Sequence, residues 1–362
     1  MHCGCKGTKK ISHLQIKSKH KQIFITFGTV FVALRQKITA KQMEKNTTIK
    51  KDVALVLGSG GARGLAHIGA IEALEENGYR IRSVSGCSMG SIIAGMFCAG
   101  KLQESKEWFL SIKRQEIFQL TDFSITGNSL VKGTKVIKAL QEIVPDCDIE
   151  SLPVPLTLVA SDLLTTDEVV FRSGSLFEAI RASISIPLFF QPVQWQGRLL
   201  VDGGILNPLP LKQVQRHEGD ILVAMNISGK DGLTIEHKTS DLLKIANVLQ
   251  QQRLPHMPKA IQQLRDNVSQ RLTAIDRAKR LSLQGTVNYV TMLDRMSDMQ
   301  IQQSTLLALQ LTPPDMLATM PQYAFNTFDF DKAEQIIAEG YRLMSEEIKR
   351  YEQANTNAAT NA

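Results

Sequence analysis

The chain has 362 residues, 43% of them apolar and 21% charged, with 24 Gly, 12 Pro and 5 Cys. This ordinary globular composition suits one large domain or two modest ones. It excludes a disulfide-dense mini-protein, a collagen-like repeat and a wholly disordered chain. No apolar run reaches the roughly 20 residues that a membrane-spanning helix needs; the longest, Ile23 to Leu34, is interrupted by Thr26, Gly28 and Thr29.

The net charge of +7 belongs to one end. Residues 1–51 hold twelve Lys or Arg against one Glu, a local charge of +11. That leaves 30 basic and 34 acidic groups, or −4, on the other 311 residues. The body is mildly acidic, so the overall basicity gives no ground for a nucleic-acid partner. The basic extension admits three readings. Lysines before an apolar run resemble the n- and h-regions of a signal peptide, although Arg35 and Lys37 follow at once and Ile38-Thr39-Ala40 is a poor cleavage site. The same features suit a peripheral anchor on anionic lipid. The third reading makes Met43 the working start. Five Cys is an odd number, and Cys87, Cys98 and Cys147 lack metal-ligand spacing, as Cys3 and Cys5 lie in the extension. A reducing, cytoplasmic compartment with or without membrane association follows, with no metal; secretion follows only from the signal-like reading.

From Asp52 the pattern changes. Val53-Ala54-Leu55-Val56-Leu57 reads as a strand buried on both faces. The glycine-rich Gly58-Ser59-Gly60-Gly61-Ala62-Arg63-Gly64 leads into a helix that runs to about Asn77, with Gly78 as its stop. Ile81 to Ser85 is a second strand, and Gly86-Cys87-Ser88-Met89-Gly90 turns into a small-residue helix over 91–99. This order argues for a parallel α/β sheet with helices on its faces. Further strands are expected at 156–161, 169–171, 193–195, 199–201 and 221–226, with Trp195-Gln196-Gly197-Arg198 as a hairpin tip. Residues 240–284 read as helical and polar. Within them, 258–284 forms a basic amphipathic helix striped by Ile261, Leu264, Val268, Leu272, Ile275 and Leu281. It is either a solvated face or a membrane contact. A last helix begins after Asp331, with Asp331 and Glu334 in a capping-box pattern, and Ile337, Tyr341, Met344, Ile348 and Tyr351 along one face.

Three clusters can carry chemistry. The first, Gly86 to Gly90, matches the G-x-S-x-G nucleophile elbow, a strained strand-to-helix turn that presents Ser88; the flanking Gly86 and Gly90 remove the Cβ atoms that would clash. The second, the Gly58–Gly64 loop, fails as a nucleotide site. Leu65-Ala66 stands where a phosphate-binding loop needs Lys and Ser or Thr, and the dinucleotide spacing puts Arg63 in place of the third Gly. What remains is a set of amides at a helix N-terminus, suited to an oxyanion, or else a structural turn. The third, Asp202-Gly203-Gly204, closes an apolar strand with a carboxylate that two glycines leave uncovered; read alone, it is also an ordinary strand-to-turn Asp.

Together these residues resemble the patatin-like phospholipase family. Its glycine loop, serine motif and Asp-Gly-Gly occur here in order as Gly60-Gly61-Ala62-Arg63-Gly64, Gly86 to Gly90, and Asp202-Gly203-Gly204. Arg181-Ala182-Ser183 through Ile186-Pro187, Asn207-Pro208-Leu209-Pro210, and Asp329-Phe330-Asp331 through Gly340-Tyr341 also look like the family. The resemblance implies a three-layer α/β/α fold with a mostly parallel central sheet, plus a helical C-terminal insert. It divides the chain into a basic extension (1–51), a catalytic domain (52–228), a helical insert (229–320), the rest of the catalytic domain (321–351) and a disordered tail (352–362).

For activity the resemblance implies a Ser88–Asp202 dyad without histidine, acting on acyl esters of lipids or lysophospholipids. Amides of Gly60, Gly61 and Ala62 would hold the oxyanion, and Arg63 would orient a phosphate or steady the loop. No cofactor is implied. A Ser-acid-His triad is the alternative mechanism. His217, His237 and His256 follow Asp202 but lie in polar stretches, and His67 reads as a packing or helix-surface residue of the first helix. Met292, Met296, Met299, Met316 and Met320 form either an acyl-binding lip or core. An acyltransferase using the same acyl-enzyme and a silent lipid-binding protein are the competing functions.

Overall fold

A computed structural model describes residues 50–112, 133–187, 189–230, 289–322 and 324–360. The basic extension, the 258–284 helix, His237 and His256 lie outside the described residues.

Among the described residues eight strands form one sheet: β1 (Lys51–Leu57), β2 (Tyr79–Cys87), β3 (Leu156–Asp162), β4 (Glu168–Phe171), β5 (Val193–Trp195), β6 (Arg198–Asp202), β7 (Ile221–Gly229) and β8 (Met316–Pro321). Their order is β5-β6-β3-β2-β1-β7-β8, with β4 also on β3. From β3 to β8 neighbours run parallel, whereas β4, β5 and β6 join antiparallel. The β5–β6 hairpin closes through Gln196 and Gly197, both at positive φ (49° and 77°), the backbone that a two-residue turn between twisted strands requires.

β1 shows how one apolar run serves two layers. Val53, Leu55 and Leu57 face the larger core, while Ala54 and Val56 face a smaller one with Leu209, Leu211, Leu222 and Ala224. The larger core is completed by α1 (Ala66–Glu76), α2 (Met89–Cys98), α3 (Leu102–Ser111), α4 (Thr134–Ile143), α5 (Leu176–Ser183) and α7 (Ala333–Thr360). The smaller is flanked by Ala308 and Leu309 of α6 (Tyr289–Leu311). The result is the expected α/β/α layering over a mostly parallel sheet.

One edge of β3 is divided between two strands. β4 occupies the other edge along residues 158–161. On the divided edge Val159 pairs with Cys87 at the end of β2, and the next residue, Ala160, pairs with Asp202 at the end of β6. The two strands therefore meet end to end.

The structure differs from the sequence reading in three places. The body resumes well before 321: α6 packs on the smaller core, and β8 is the sheet's outer strand beside β7. Met316, Ala318 and Met320 alternate inward, a strand period. The five methionines thus share no surface, since Met292, Met296 and Met299 are exposed on α6. Next, α7 runs to Thr360, past the expected end at 351, with Thr356 Oγ1 donating to the Glu352 carbonyl at 2.9 Å. A helix already nucleated extends at one bond per residue, and its alanines favour this. Last, α7 is entered through the 3-10 turn Phe330–Lys332, where Asp329 accepts from Lys332 Nζ at 2.7 Å and from the Asn326 amide at 3.1 Å. Asp329, rather than Asp331, ties the helix start.

α1 and α7 cross backbone to backbone. A Cβ on Gly69 would strike the Ile337 carbonyl, and one on Gly340 the Ala66 carbonyl. Because both obstacles are main chain, neither can swing aside. Gly340→Ala is expected to destabilise the fold by about 3 kcal/mol, the upper range of overpacking costs, and more than Gly100→Ala, whose Cβ would meet nothing within 4 Å and whose cost comes only from its φ of 70°. Thermal denaturation of the two variants checks this; equal melting temperatures would contradict it.

Candidate active site

Ser88 follows Cys87 at the end of β2, with φ 56° and ψ −124°, a backbone region that costs a non-glycine residue about 1–3 kcal/mol. All its polar atoms are bonded. Its amide donates to Ser183 Oγ (2.9 Å), and its carbonyl accepts from the Ser91 amide (2.8 Å) and Ser91 Oγ (2.6 Å). Its Oγ donates to Asp202 Oδ2 at 2.6 Å. The turn is possible because a Cβ on Gly86 would meet the Gly90 carbonyl, and one on Gly90 the Leu57 carbonyl.

Asp202 is placed by the register described above and by its own turn. Its amide donates to the Ser185 carbonyl (2.9 Å), and its Oδ1 accepts from the Gly204 amide (2.7 Å). Gly203 lies against the Val159 carbonyl, and Gly204 beside Ser59 Oγ, where side chains would not fit. Burial raises the carboxyl to about 6 from an ordinary 3.8, against the opposing hydrogen bonds from Ser88 and Gly204. Such a group is charged at neutral pH yet basic enough to take a proton.

The glycine loop is tied at nearly every polar point. The Gly58 amide donates to the Met225 carbonyl (3.1 Å), and the Ser59 amide to that of Pro208 (2.8 Å). Ser228 Oγ donates to the Ser59 carbonyl at 2.9 Å. Buried Arg63 donates from Nε to the Ile227 carbonyl (3.1 Å) and from Nη1 to the Phe325 carbonyl (3.0 Å). Between the two roles open for Arg63, these bonds favour steadying the loop. The Ala62 amide donates to the Thr327 carbonyl at 2.8 Å. That corrects the expected set of three donors: Ala62 is occupied, and Gly60 and Gly61 alone carry amides that meet no acceptor among the described residues. Gly61, at φ 58°, lies against Thr327, and Gly64 against the Met89 side chain.

His67 is fully buried, and Nε2 donates to the Gly58 carbonyl at 2.8 Å. Burial pushes its ring down to about 4, so it stays neutral and holds the loop. His217 precedes β7, near Asp52 at the start of β1. Since Ser88 ends a strand parallel to both, His217 lies at the opposite end of the sheet. Cys87 is buried, which raises its thiol well above its usual range and leaves it inert.

An almost wholly apolar pocket opens beside Ser88 and Gly61. Its walls include Ile92, Trp108, Phe109, Phe189, Phe190 and Phe328. Phe189 packs against Phe190 and Phe328 with ring centroids 4.9 Å apart in both pairs. Sequence reasoning missed these walls, which come from separate elements, and it missed Ser91 and Thr327. Ser183 stood in a noted motif without a role.

Residues 55–214 match the sequence model of the patatin-like phospholipase family. The chain carries a patatin-like phospholipase domain. An uncharacterised NTE family protein of Mycobacterium tuberculosis is 45% identical over 179 residues, covering 49% of this chain and 50% of that protein. The neuropathy target esterase sws of Drosophila melanogaster is 28% identical over 197 residues, 52% of this chain and 14% of that protein. The chain therefore spans about half, or less, of the length of these relatives. The solved structure of VipD from Legionella pneumophila aligns over 83% of this chain and 67% of its own, at 13% identity and a TM-score of 0.38.

The raised carboxyl of Asp202 has a stability consequence. Its folded value, about 6, lies above the unfolded 3.8, so the folded chain holds the proton more tightly. The stability this confers is fully present below about 3.8 and is lost as pH rises through about 6, a loss on the order of 3 kcal/mol. Asp202→Asn carries no such charge. It is expected to gain melting temperature on the wild type at pH 7.5 and to lose that advantage at pH 4. An equal difference at both pH values would contradict this.

Proposed function

We propose that this chain is a serine hydrolase of lipid acyl esters, of phospholipase A or lysophospholipase type. The observation that carries the reading is the Ser88 hydroxyl on the wall of an apolar, aromatic pocket, 2.6 Å from the buried Asp202 carboxylate. The pocket takes the acyl chain, which places the ester carbonyl at Ser88 and leaves the polar leaving group outside.

Ser88 Oγ attacks the ester carbon as its proton passes to Asp202 Oδ2. The carbonyl oxygen becomes an oxyanion held by the Gly60 and Gly61 amides, with the N-terminus of α2 adding favourable potential. When the tetrahedral intermediate collapses, the ester C–O bond breaks and Asp202 returns the proton to the departing alcohol. The acyl group stays on Ser88. A water molecule then repeats the cycle: it loses its proton to Asp202, attacks the acyl carbon and releases the fatty acid, and Asp202 reprotonates Ser88. Imidazole has no part in these steps. Asp202 can act as base because its burial raises its proton affinity and its 2.6 Å bond to Ser88 needs no relay.

A fluorophosphonate probe and a lysophospholipid substrate test this directly. The wild type should be labelled and active, and Ser88→Ala should be neither. Asp202→Asn should react about 10³-fold more slowly, within the range for loss of a general base, and His217→Ala should match the wild type. An unlabelled, folded wild type would overturn the reading, and loss of labelling in His217→Ala would replace the dyad with a triad.

A further inference from the structure

The end of α5 touches both members of the dyad, and the mechanism above leaves it without a task. α5 is fixed in register at its start, where Ser175 Oγ accepts from the Glu178 amide at 3.1 Å. Its last residue, Ser183, is fully buried, and its hydroxyl accepts the Ser88 amide at 2.9 Å. Two residues on, the Ser185 carbonyl accepts the Asp202 amide at 2.9 Å. The Ser183 side chain and the Ser185 main chain thus span the gap between nucleophile and base. Arg181 braces this segment: its Nη1 donates to Ser185 Oγ at 2.7 Å and its Nη2 to the Gln191 carbonyl at 2.9 Å.

The Ser88 amide needs this partner. Pairing of β2 with β3 ends at Cys87, and β6 takes the next position on that edge. The positive φ of Ser88 also turns its backbone out of the strand direction. Without the Ser183 hydroxyl a buried amide would lack an acceptor, which costs about 1–3 kcal/mol and removes a bond that opposes relaxation of the strained turn.

Resting on the serine-hydrolase reading, we propose that Ser183 is a positioning residue. Its hydroxyl fixes the Ser88 backbone so that Oγ stays aligned with Asp202 and with the Gly60 and Gly61 amides. It touches neither substrate nor reacting atoms and does not line the acyl pocket, so its loss affects turnover and leaves binding unchanged.

The test uses the full chain and three variants. Ser183→Ala removes the acceptor, and Ser183→Cys keeps nearly the same volume while offering only a weak one. Ser85→Ala removes a buried hydroxyl of β2 that donates to the Pro210 carbonyl at 2.9 Å, away from the dyad. Fluorophosphonate labelling rate, kcat and KM on a short-chain ester, and melting temperature are measured for each. Both Ser183 variants should label about 10²-fold more slowly, the scale for an ångström of misalignment, with lower kcat and unchanged KM. Ser85→Ala should keep the wild-type rate even if its melting temperature falls as far. Wild-type labelling in either Ser183 variant would overturn the inference, as would a loss of rate that Ser85→Ala shares. Failure of the wild type to label is a separate result and would remove the serine-hydrolase reading itself.

Discussion

Two successive residues of β3 hold the candidate site together. Val159 takes the last residue of β2 as its partner and Ala160 takes the last residue of β6, so Ser88 and Asp202 are brought face to face by main-chain pairing. No flexible side chain has to find a distant partner. A one-residue slip of β6 along β3 would turn Asp202 to the other face of the sheet. The glycines at 203 and 204 follow from the same constraint, because the chain must leave β6 against the Val159 carbonyl.

On this frame the site holds two unfavourable local states. Ser88 sits in a strained backbone conformation, and Asp202 is a carboxylate withdrawn from water. Each is tolerated because its neighbours are satisfied: Ser88 by Ser183, Ser91 and Asp202, and Asp202 by Ser88, Gly204 and Ser185. Burial works in two directions here. It raises Asp202 towards neutral pH, where a base is useful, and lowers His67, whose neutral ring anchors the glycine loop. Among the described residues the loop's other bonds leave the Gly60 and Gly61 amides without an acceptor. In the proposed mechanism the rigidity of the surroundings is part of the chemistry, since donors fixed in advance need no reorganisation as charge develops.

What could be read from the sequence was what steric demands write locally. An elbow needs glycine two residues either side of its serine, a tight loop needs glycines in a row, and a buried parallel strand needs a continuous apolar run. Ser88 and the core of β1 were legible for these reasons, whereas the roles of Asp202, Gly60 and Gly61 came only with the resemblance to the patatin-like family. The rest depends on long-range pairing. The bond between Ala62 and Thr327 joins residues 265 apart in sequence, and Ser183 meets Ser88 across 95. The aromatic pocket walls come from separate helices and loops. Some signals were present and passed over: Ser175 and Glu178 cap α5, and Met316, Ala318 and Met320 keep a strand period that their methionines disguised.

The central claim is that a buried carboxylate, with no imidazole, activates the serine. The pH dependence of fluorophosphonate labelling of the wild-type chain tests it most directly. The account predicts a single rise with an apparent pKa of about 6, the value of Asp202, and a plateau above it. A rate independent of pH from 4 to 8, or a rise near 7 that disappears when a histidine is replaced, would contradict it.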